Sequence, residues 1–552
     1  MDRVHRVLFA PRELPPLAPD VSQDHSRYPA WARRREQQRR RSARRARQPL
    51  LGLILIVADE SPDAITMTLG SLRGQTATRW RMAVVVPDER ATEIESLLRA
   101  AGRRLRRRAS VLPADARSTT AARAAVGIGN HQGAVALLFP GDVWAPDAVA
   151  CLAGGLGPLG TVYADEDRLQ GDGSLAAPRL KPGYSPDFLT ATGYVGRPLA
   201  MDASVAQRVA GAAAAGEAAT ERDVALVACG AAESVVHVPE VLCHRFSPPD
   251  GSGPQPAATP AVWPVPPGLT ATVLIPFRDG ATLLRACVDS ITATTGDLRT
   301  EFVLIDNGST DPETMTLLDR LAGRSDVILV RDERVFNWAA LNNVGARAAT
   351  GDVLVFVNND IEVHRPGWLH ALCGHAVRPE IGAVGARLLY PDGRLQHCGL
   401  VLGLGGAAGH PLAGLAADEP GYLQMATATR ECSAVTGACL ATRRAVFDEL
   451  GGFDESLGVD LNDVDYCLRA GTAGYRTIFE PRAELTHYES PSRGTAGGVG
   501  DIVNFVERWR NALAGGDPYY SPHLTRADGS CALAGPDEAD AWERWYAGVR
   551  AQ

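Results

Sequence analysis

The sequence has no cysteine pair at the spacing of a zinc site or a compact disulfide framework. Its 10 cysteines are scattered along 552 residues and include no C-x-x-C pair. We therefore expect reduced cysteines and a cytoplasmic protein. The chain also has no long apolar run, because its most apolar stretch, residues 50–58, is about half as long as a membrane span. The first residues contain no apolar signal segment, so we expect any contact with the plasma membrane to be peripheral, from its inner face.

A large excess of positive charge is also missing. The net charge is −8, which argues against a nucleic-acid partner. The basic residues are unevenly distributed, however, since residues 33–47 contain nine arginines and Arg103 to Arg108 form a second basic cluster. Both clusters fit a solvated helix. Both also fit attraction to anionic lipid headgroups or to a polyanionic acceptor.

The length predicts more than one domain. A chain of 552 residues is longer than one hydrophobic core usually supports. Residues 246–268 contain eight prolines and predict a stiff linker. The predicted divisions are a basic, helical extension (1–49), a first domain (50–245), the linker (246–268), a second domain (269–525) and a tail (526–552).

The two halves of the chain follow the same α/β pattern. Apolar strands alternate with helices in both, which predicts Rossmann-like, mostly parallel sheets. Strands of the second half end at Asp306 and near Asp360, and strands of the first half end near Asp88 and Asp142. Both separations are 54 residues. Fewer oxygen-bearing side chains follow the strands of the first half, so we expect two tandem domains of which the first is degenerate.

Acidic and amide side chains cluster after the strands of the second half. The motifs are Asp306-Asn307-Gly308-Ser309, Asn358-Asn359-Asp360, Asn462-Asp463-Val464-Asp465 and His487. The carboxyl ends of strands in open α/β sheets form ligand sites. Carboxylate and amide oxygens suit Mg²⁺ or Mn²⁺, and a carboxylate near a nucleotide pocket suits a general base. Each motif alone also fits a structural role: an Asx turn, a helix cap at Asn462 or Asp463, or a structural histidine.

The glycine-rich stretch 399–415 has neither helical nor strand periodicity. It contains Gly405, Gly406 and His410. This composition predicts either a mobile loop over a site or a plain surface loop.

Taken in order, these motifs resemble the family 2 inverting glycosyltransferases, which have the GT-A fold. The resemblance is dense from 272 to 494, and its other motifs are Val273-Leu274-Ile275-Pro276, Leu341-Asn342-Asn343-Val344-Gly345, Gln396-His397-Cys398-Gly399, Val435-Thr436-Gly437-Ala438-Cys439 and Gly451-Gly452-Phe453-Asp454-Glu455. The first half is similar, in degenerate form, to the first domain of tandem bacterial enzymes that build cell-surface polysaccharide such as O-antigen. Rhamnosyltransferases are among the relatives of those enzymes.

The resemblance implies a role for each candidate residue. Asp463 matches the catalytic base, although Asn462 stands where the family has glutamate. Asp360 and His487 are the implied ligands of Mn²⁺ or Mg²⁺. The implied nucleotide-sugar-binding residues are Pro276, Asp306, Asn358 and Asp465. The implied donor is a UDP-, dTDP- or GDP-sugar. The implied acceptor is a glycan or a lipid-linked molecule. The motifs imply no oligomeric state.

Two other interpretations remain open. Both domains could be active on different linkages, and Asp142, Asp165 and Asp167 of the first half would then matter. The chain could instead be a non-catalytic, glycan-binding scaffold, although the intact acidic motifs of the second half argue against that. A nicotinamide-dependent dehydrogenase needs a G-x-G-x-x-G turn after its first strand, and residues 276–280 do not provide it.

Overall fold

The computed structural model describes residues 20–24, 26–42, 50–246, 262–489 and 499–535, together with 538, 545, 547 and 548. Most of the predicted linker (247–261) and the first 19 residues lie outside the described residues. The described chain divides into two compact units. Residues 20–246 with Tyr520–Leu524 form the first unit, and residues 262–519 with 525–535 form the second unit. The predicted limits of linker and tail stay predictions.

The first unit contains one nine-stranded sheet and nine α-helices among its described residues. Its strands are β1 (Leu51–Ile56), β2 (Trp80–Pro87), β3 (Ala109–Ala114), β4 (Val135–Leu138), β5 (Asp142–Trp144), β6 (Gly160–Leu169), β7 (Leu175–Arg179), β8 (Leu199–Met201) and β9 (Ser234–Phe246). Its helices are α1 (Tyr28–Ser42), α2 (Pro62–Arg73), α3 (Ala91–Ala100), α4 (Arg103–Arg106), α5 (Thr120–Gly129), α6 (Ala148–Gly155), α7 (Pro186–Thr192), α8 (Ala203–Ala214) and α9 (Glu221–Ala231).

The second unit contains a ten-stranded sheet and a two-stranded hairpin among its described residues. Its strands are β10 (Thr270–Phe277), β11 (Arg299–Asp306), β12 (Val327–Arg331), β13 (Val353–Val357), β14 (Ile361–Val363), β15 (Ile381–Leu389), β16 (Leu395–His397), β17 (Val401–Leu402), β18 (Ala408–Gly409), β19 (Arg430–Glu431), β20 (Cys439–Arg443) and β21 (Arg476–His487). Its helices are α10 (Ala281–Thr294), α11 (Pro312–Ala322), α12 (Trp338–Ala348), α13 (Trp368–Ala376), α14 (Arg444–Glu449), α15 (Asn462–Thr472) and α16 (Val499–Gly515).

The two large sheets have equivalent strand orders. The order is β3-β2-β1-β4-β8-β6-β9-β5 in the first unit and β12-β11-β10-β13-β20-β15-β21-β14 in the second. In both, the first four strands of the order are parallel, and the inserted strand (β8 or β20) is antiparallel to its two neighbours. The structure therefore confirms the predicted α/β fold class with two tandem, mostly parallel sheets.

The apolar periodicity of the second unit explains its core. All five residues of β13 are buried, as expected of a central strand covered on both faces. Helix α10 buries Leu284, Cys287, Val288 and Ile291, which lie on one helical stripe. These side chains share a core with the strands beside them. The packed sheet holds the carboxyl ends of β11 and β13 in fixed positions, and the acidic motifs begin there.

The basic segment before the first domain contains the helix that the sequence predicts. Helix α1 belongs to the first unit, where the Tyr28 ring is fully buried and its hydroxyl donates to Asp167 Oδ2 at 2.6 Å. Arg39 of the same helix pairs with Asp147 and Glu240. No helix among the described residues is long and apolar enough to span a membrane.

Candidate active site

Asp360 and His487 meet at the edge of the second sheet. Antiparallel pairing of β14 with β21 sets Ile361 opposite His487, and the Tyr488 amide donates to the Asp360 carbonyl at 3.0 Å. His487 Nε2 lies 3.2 Å from Asp360 Oδ1, and both side chains are largely buried. The structure thus brings together the two residues predicted to bind metal, although 127 positions separate them in sequence.

Two neighbouring amides determine which nitrogen of His487 carries the proton. Trp338 Nε1 can only donate, and it donates to Asn358 Oδ1 at 3.2 Å, so Asn358 Nδ2 faces His487 Nε2 at 3.4 Å. On the other side, Gln396 Nε2 donates to the His487 carbonyl, which leaves Gln396 Oε1 to accept from His487 Nδ1 at 2.7 Å. Both contacts favour the tautomer with the proton on Nδ1 and a lone pair on Nε2.

The donor atoms at this position fit a divalent cation. A lone pair on His487 Nε2 beside the Asp360 carboxylate is a nitrogen–oxygen pair that Mn²⁺ accepts, and the Gln396 contact is the outer hydrogen bond that metal-binding histidines usually have. No group of three His, Cys, Asp or Glu side chains within the described ranges could hold a metal by itself. Two protein ligands suit an ion that takes its remaining oxygens from a substrate diphosphate and water.

Asp463 lies at the start of helix α15, close to the loop before β20. Its Oδ2 accepts from the Gly437 amide at 2.7 Å, and its Oδ1 accepts from the Val464 amide at 2.8 Å. The predicted alternative, a helix cap at Asn462 or Asp463, is wrong. Leu461 occupies the cap position with a φ of 62° and makes no side-chain cap hydrogen bond.

Asn358 and Asp463 line the same small cleft. Trp338, Thr436, Gly437 and Asn462 also contribute to its walls. A Cβ atom on Gly437 would come within 2.7 Å of the Trp338 ring. This close approach explains why glycine is needed beside Asp463. The cleft therefore joins the candidate base to Asn358, and Asn358 in turn contacts His487.

Comparison with known proteins identifies the segment that contains this cleft. The model of the family "Glycosyl transferase family 2" matches residues 272–451. We call this segment the family 2 domain, after the family model that it matches. The match confirms the family predicted from the motifs. It begins in β10 and ends after α14, so the family 2 domain includes Asp306, Asn358 and Asp360, whereas Asp463 and His487 lie beyond the matched residues.

Relatives of the family 2 domain include longer chains. The protein is 34% identical to O-antigen biosynthesis protein RfbC of Myxococcus xanthus, with 95% of this chain but only 44% of that protein covered. It is 29% identical to the N-acetylglucosaminyl-diphospho-decaprenol L-rhamnosyltransferase of Mycobacterium tuberculosis, over 35% of this chain and 67% of that one. The solved mannosyltransferase PcManGT from Pyrobaculum calidifontis is 22% identical, over 52% of this chain and 78% of that chain, at a TM-score of 0.35.

The predicted nucleotide site of the family 2 domain is stabilised by an arginine that the motifs do not include. Asp306 Oδ1 accepts from the Ser309 amide at 2.8 Å, and Oδ2 accepts from Arg331 Nη1 at 2.6 Å. Pro276 pairs with Ile305, directly beside Asp306 in the sheet. Pro276 and Asp306 therefore lie at adjacent strand ends, and their nucleotide role stays a prediction.

The structure does not favour the predicted nucleotide-sugar role of Asp465. Its side chain is fully buried and does not line the cleft. Oδ2 accepts from Arg469 Nε at 2.7 Å, and Oδ1 accepts from Arg508 Nη1 at 2.7 Å and Trp509 Nε1 at 2.9 Å. Asp465 therefore faces away from the cleft. It connects α15 to α16 instead.

The glycine-rich stretch is more structured than its sequence predicts. Strands β17 and β18 pair in antiparallel fashion within it, which corrects the expectation of no strand. His397 follows Gln396 in the sequence. The Nδ1 atom of His397 lies 2.9 Å from the Nδ1 atom of His410. Burial, with the nearby His410 and Arg430, holds the pKa of His397 well below its ordinary value. A neutral His397 thus contacts the hairpin next to the residues that are predicted to bind metal.

The acidic residues of the first unit are paired with internal cations and other donors. Asp142 Oδ1 accepts from Arg197 at 2.9 Å. Asp165 contacts His237 Nε2 at 2.8 Å, and Asp167 contacts His244 Nδ1 at 2.6 Å. All three carboxylates are almost fully buried. Asp142, Asp167 and one oxygen of Asp165 are therefore committed to structural contacts, whereas Asp165 Oδ2 is buried without a hydrogen-bond partner among the described residues.

Proposed function

We propose that the second unit transfers a sugar from a UDP-, dTDP- or GDP-linked donor to a glycan or lipid-linked acceptor, with inversion and with the help of Mn²⁺ or Mg²⁺. The observation that carries the proposal is that Asp463 and Asn358 line one cleft, while Asn358 contacts His487, which lies beside Asp360. The proposed base therefore lines the cleft, and the candidate metal pair adjoins it through Asn358. The name of the Myxococcus relative, an O-antigen biosynthesis protein, supports a role in making cell-surface polysaccharide.

Asp463 is the proposed base for the acceptor hydroxyl. A carboxylate has about four positions that accept hydrogen bonds, so the Gly437 and Val464 amides orient it and leave it able to accept the acceptor proton. The acceptor oxygen attacks the anomeric carbon from the face opposite the diphosphate, so one displacement inverts the configuration. Such base assistance contributes roughly 10²–10⁴-fold. Asp360 and His487 are the proposed holders of the divalent cation, which when bound neutralises charge on the leaving diphosphate.

The first unit is proposed to be non-catalytic. Freeing Asp142 or Asp167 for a ligand would break a buried ion pair, which is costly because the remaining partner is left desolvated. Arg197 also pairs with Glu221 at 2.7 Å, so its position is fixed from two sides. The activity of both domains on different linkages is therefore the less favoured proposal.

The proposal is tested by hydrolysis of UDP-, dTDP- and GDP-sugars with Mn²⁺, with Mg²⁺ and with a chelator. We expect turnover of one donor that requires the metal. When an acceptor is added, the nucleoside diphosphate should be released and the sugar should form a glycoside of inverted anomeric configuration. If no donor is turned over and calorimetry detects no nucleotide binding, the scaffold interpretation is correct instead. Retention of anomeric configuration would contradict the single displacement.

A further inference from the structure

The first unit contains a basic pocket near the amino end of β2. Asp88 and Asp142 follow the carboxyl ends of β2 and β4, at the other end of the parallel strands. Its volume is about 310 Å³, and it lies where helix α2 ends, where β2 begins and around α4. We call it the arginine pocket. Its charged and aromatic walls are Arg73, Trp80, Arg103, Arg104 and Arg108.

The arginine pocket concentrates positive charge without acidic neighbours. Among the described residues, the guanidinium groups of Arg73, Arg103 and Arg104 have no carboxylate partner and no other hydrogen-bond partner. The Arg108 guanidinium lies over the Trp80 ring at 4.6 Å, and its Nη2 donates to the Thr78 carbonyl at 2.9 Å. Burial and the charge of Arg104 lower the pKa of Arg108. Arg73, Arg103 and Arg104 are exposed, so water and salt screen much of the repulsion between these like charges, and a bound anion would offset the remainder.

One nitrogen of Arg108 lacks the partner that a buried donor needs. Its Nη1 is buried and makes no hydrogen bond within the described part of the chain. A buried polar group without a partner costs free energy, so native structures usually satisfy it. Next to it, Leu72 and Leu105 supply an apolar wall. The guanidinium donor without a partner and the unpaired arginines match an anionic group of a ligand. The apolar wall matches an apolar remainder of the same ligand.

We propose that the arginine pocket binds a phosphate or diphosphate group of an amphiphilic ligand. Guanidinium groups match the geometry of phosphate oxygens, and the indole ring fixes Arg108 in place for this contact. A pocket of about 310 Å³ encloses a discrete headgroup, not a length of extended polysaccharide. The same chemistry is shared by a lipid headgroup and by free pyrophosphate. The proposal does not depend on catalysis by the second unit.

Calorimetry of the full chain with pyrophosphate, in the presence of a chelator, tests the pocket directly. The chelator removes the divalent ions that a diphosphate needs in the second unit. We expect Arg104→Gln and Arg108→Gln each to weaken binding roughly tenfold, as expected for loss of one charge-assisted hydrogen bond. Arg106→Gln and Arg107→Gln are matched controls, because they remove the same charge from exposed residues of the same segment outside the pocket. We expect both controls to bind as the wild type does.

Flotation with vesicles distinguishes the two sources of phosphate. Binding to phosphatidylcholine vesicles that contain phosphatidic acid, but not to phosphatidylcholine alone, with displacement by pyrophosphate, would identify a membrane-borne ligand. Pyrophosphate binding without vesicle binding would identify a soluble ligand, and both results support the proposed pocket.

Equal losses of binding in the pocket variants and the controls would overturn the proposal, since a diffuse basic surface would then suffice. Absence of binding to pyrophosphate and to both vesicles would also overturn it, as would equally strong binding to alginate, a polycarboxylate.

Discussion

At the scale of single residues, the candidate site depends on how His487 is oriented. Its two ring nitrogens have different partners, Gln396 on one side and Asn358 with Asp360 on the other. The amide groups of those partners are themselves fixed, by Trp338 and by the His487 carbonyl. The two amides favour a lone pair on Nε2, whereas Asp360 Oδ1 at 3.2 Å is an acceptor for a proton on that nitrogen unless a cation lies between them. The metal-binding proposal therefore depends on two amides, Asn358 and Gln396, that orient the histidine.

Gln396→Leu tests this dependence. Leucine removes the acceptor for His487 Nδ1, and loss of such an outer hydrogen bond typically weakens metal affinity about 10–100-fold. We expect the Mn²⁺ concentration for half-maximal donor hydrolysis to rise by that factor. Gln396→Glu keeps the acceptor oxygen and should retain most of the affinity. An unchanged Mn²⁺ requirement in Gln396→Leu would show that Gln396 does not position the ligand.

Asp463→Asn separates proton transfer from binding. The amide keeps the size of the side chain but accepts a proton poorly, so kcat for transfer should fall roughly 10²–10⁴-fold. The dissociation constant of the nucleotide, measured by calorimetry, should change little. Asp448→Asn, an exposed aspartate of helix α14 outside the cleft, is the matched control. Full activity of Asp463→Asn would assign the base to another residue.

At the scale of elements, helices α15 and α16 are connected by buried polar contacts. Asp465 of α15 accepts hydrogen bonds from Arg508 and Trp509 of α16. In the other direction, Asp501 of α16 accepts from the amides of Val459 and Asp460, just before α15. These contacts fix the start of α15, where Asp463 lies. Asp465 thus connects α16 to the helix that carries the proposed base.

Asp465→Asn should destabilise the protein without weakening nucleotide binding. It removes the charge that accepts from Arg469 and Arg508, which are themselves partly exposed, and hydrogen bonds to a charged group contribute about 1.5–3 kcal/mol. We expect about that decrease in the free energy of unfolding in urea. The nucleotide dissociation constant at a temperature well below unfolding should stay at the wild-type value. A variant with normal stability and weakened nucleotide binding would restore the original prediction.

The sequence predicts elements better than it predicts contacts between them. Apolar patterning was sufficient for β10, α10 and β13, because the two strands are continuous buried apolar runs and the helix buries one regular stripe. It could not predict the role of Asp465, because Asp463 and Asp465 differ only in which side of α15 they face. Nor did any motif indicate that Arg331 pairs with Asp306, since the two side chains meet only through the pairing of β11 with β12. Partners distant in sequence are determined by tertiary packing.

At the scale of the whole molecule, the two units share a sheet topology and also share a buried, ionised glutamate. Each contains a buried glutamate whose pKa is held at about 2. Burial acts to raise the pKa of Glu166, but Lys181, Arg245 and Arg179 outweigh it. For Glu480, His375 and Arg482 outweigh burial in the same way. Both units are therefore expected to depend on ionised glutamates for stability.

Acid should destabilise the protein over a defined range. Because the folded-state pKa of Glu166 is about 2 and its ordinary value is 4.5, its contribution is present above pH 4.5 and is lost as the pH falls towards 2. We expect Glu166→Gln to lower the free energy of unfolding at neutral pH and to reduce its pH dependence in that range. Glu89→Gln, an exposed glutamate of the first unit, is the control. An identical pH dependence in Glu166→Gln and wild type would contradict the assignment.

The central claim is that the second unit alone carries the chemistry. The most direct measurement compares metal-dependent donor hydrolysis by the wild type, Asp360→Ala, Asp463→Asn and Asp142→Ala, with circular dichroism to confirm that each variant is folded. We predict that activity is lost in the Asp360 and Asp463 variants and kept in folded Asp142→Ala. Loss of activity only in a folded Asp142→Ala variant would contradict the claim and assign catalysis to the first unit.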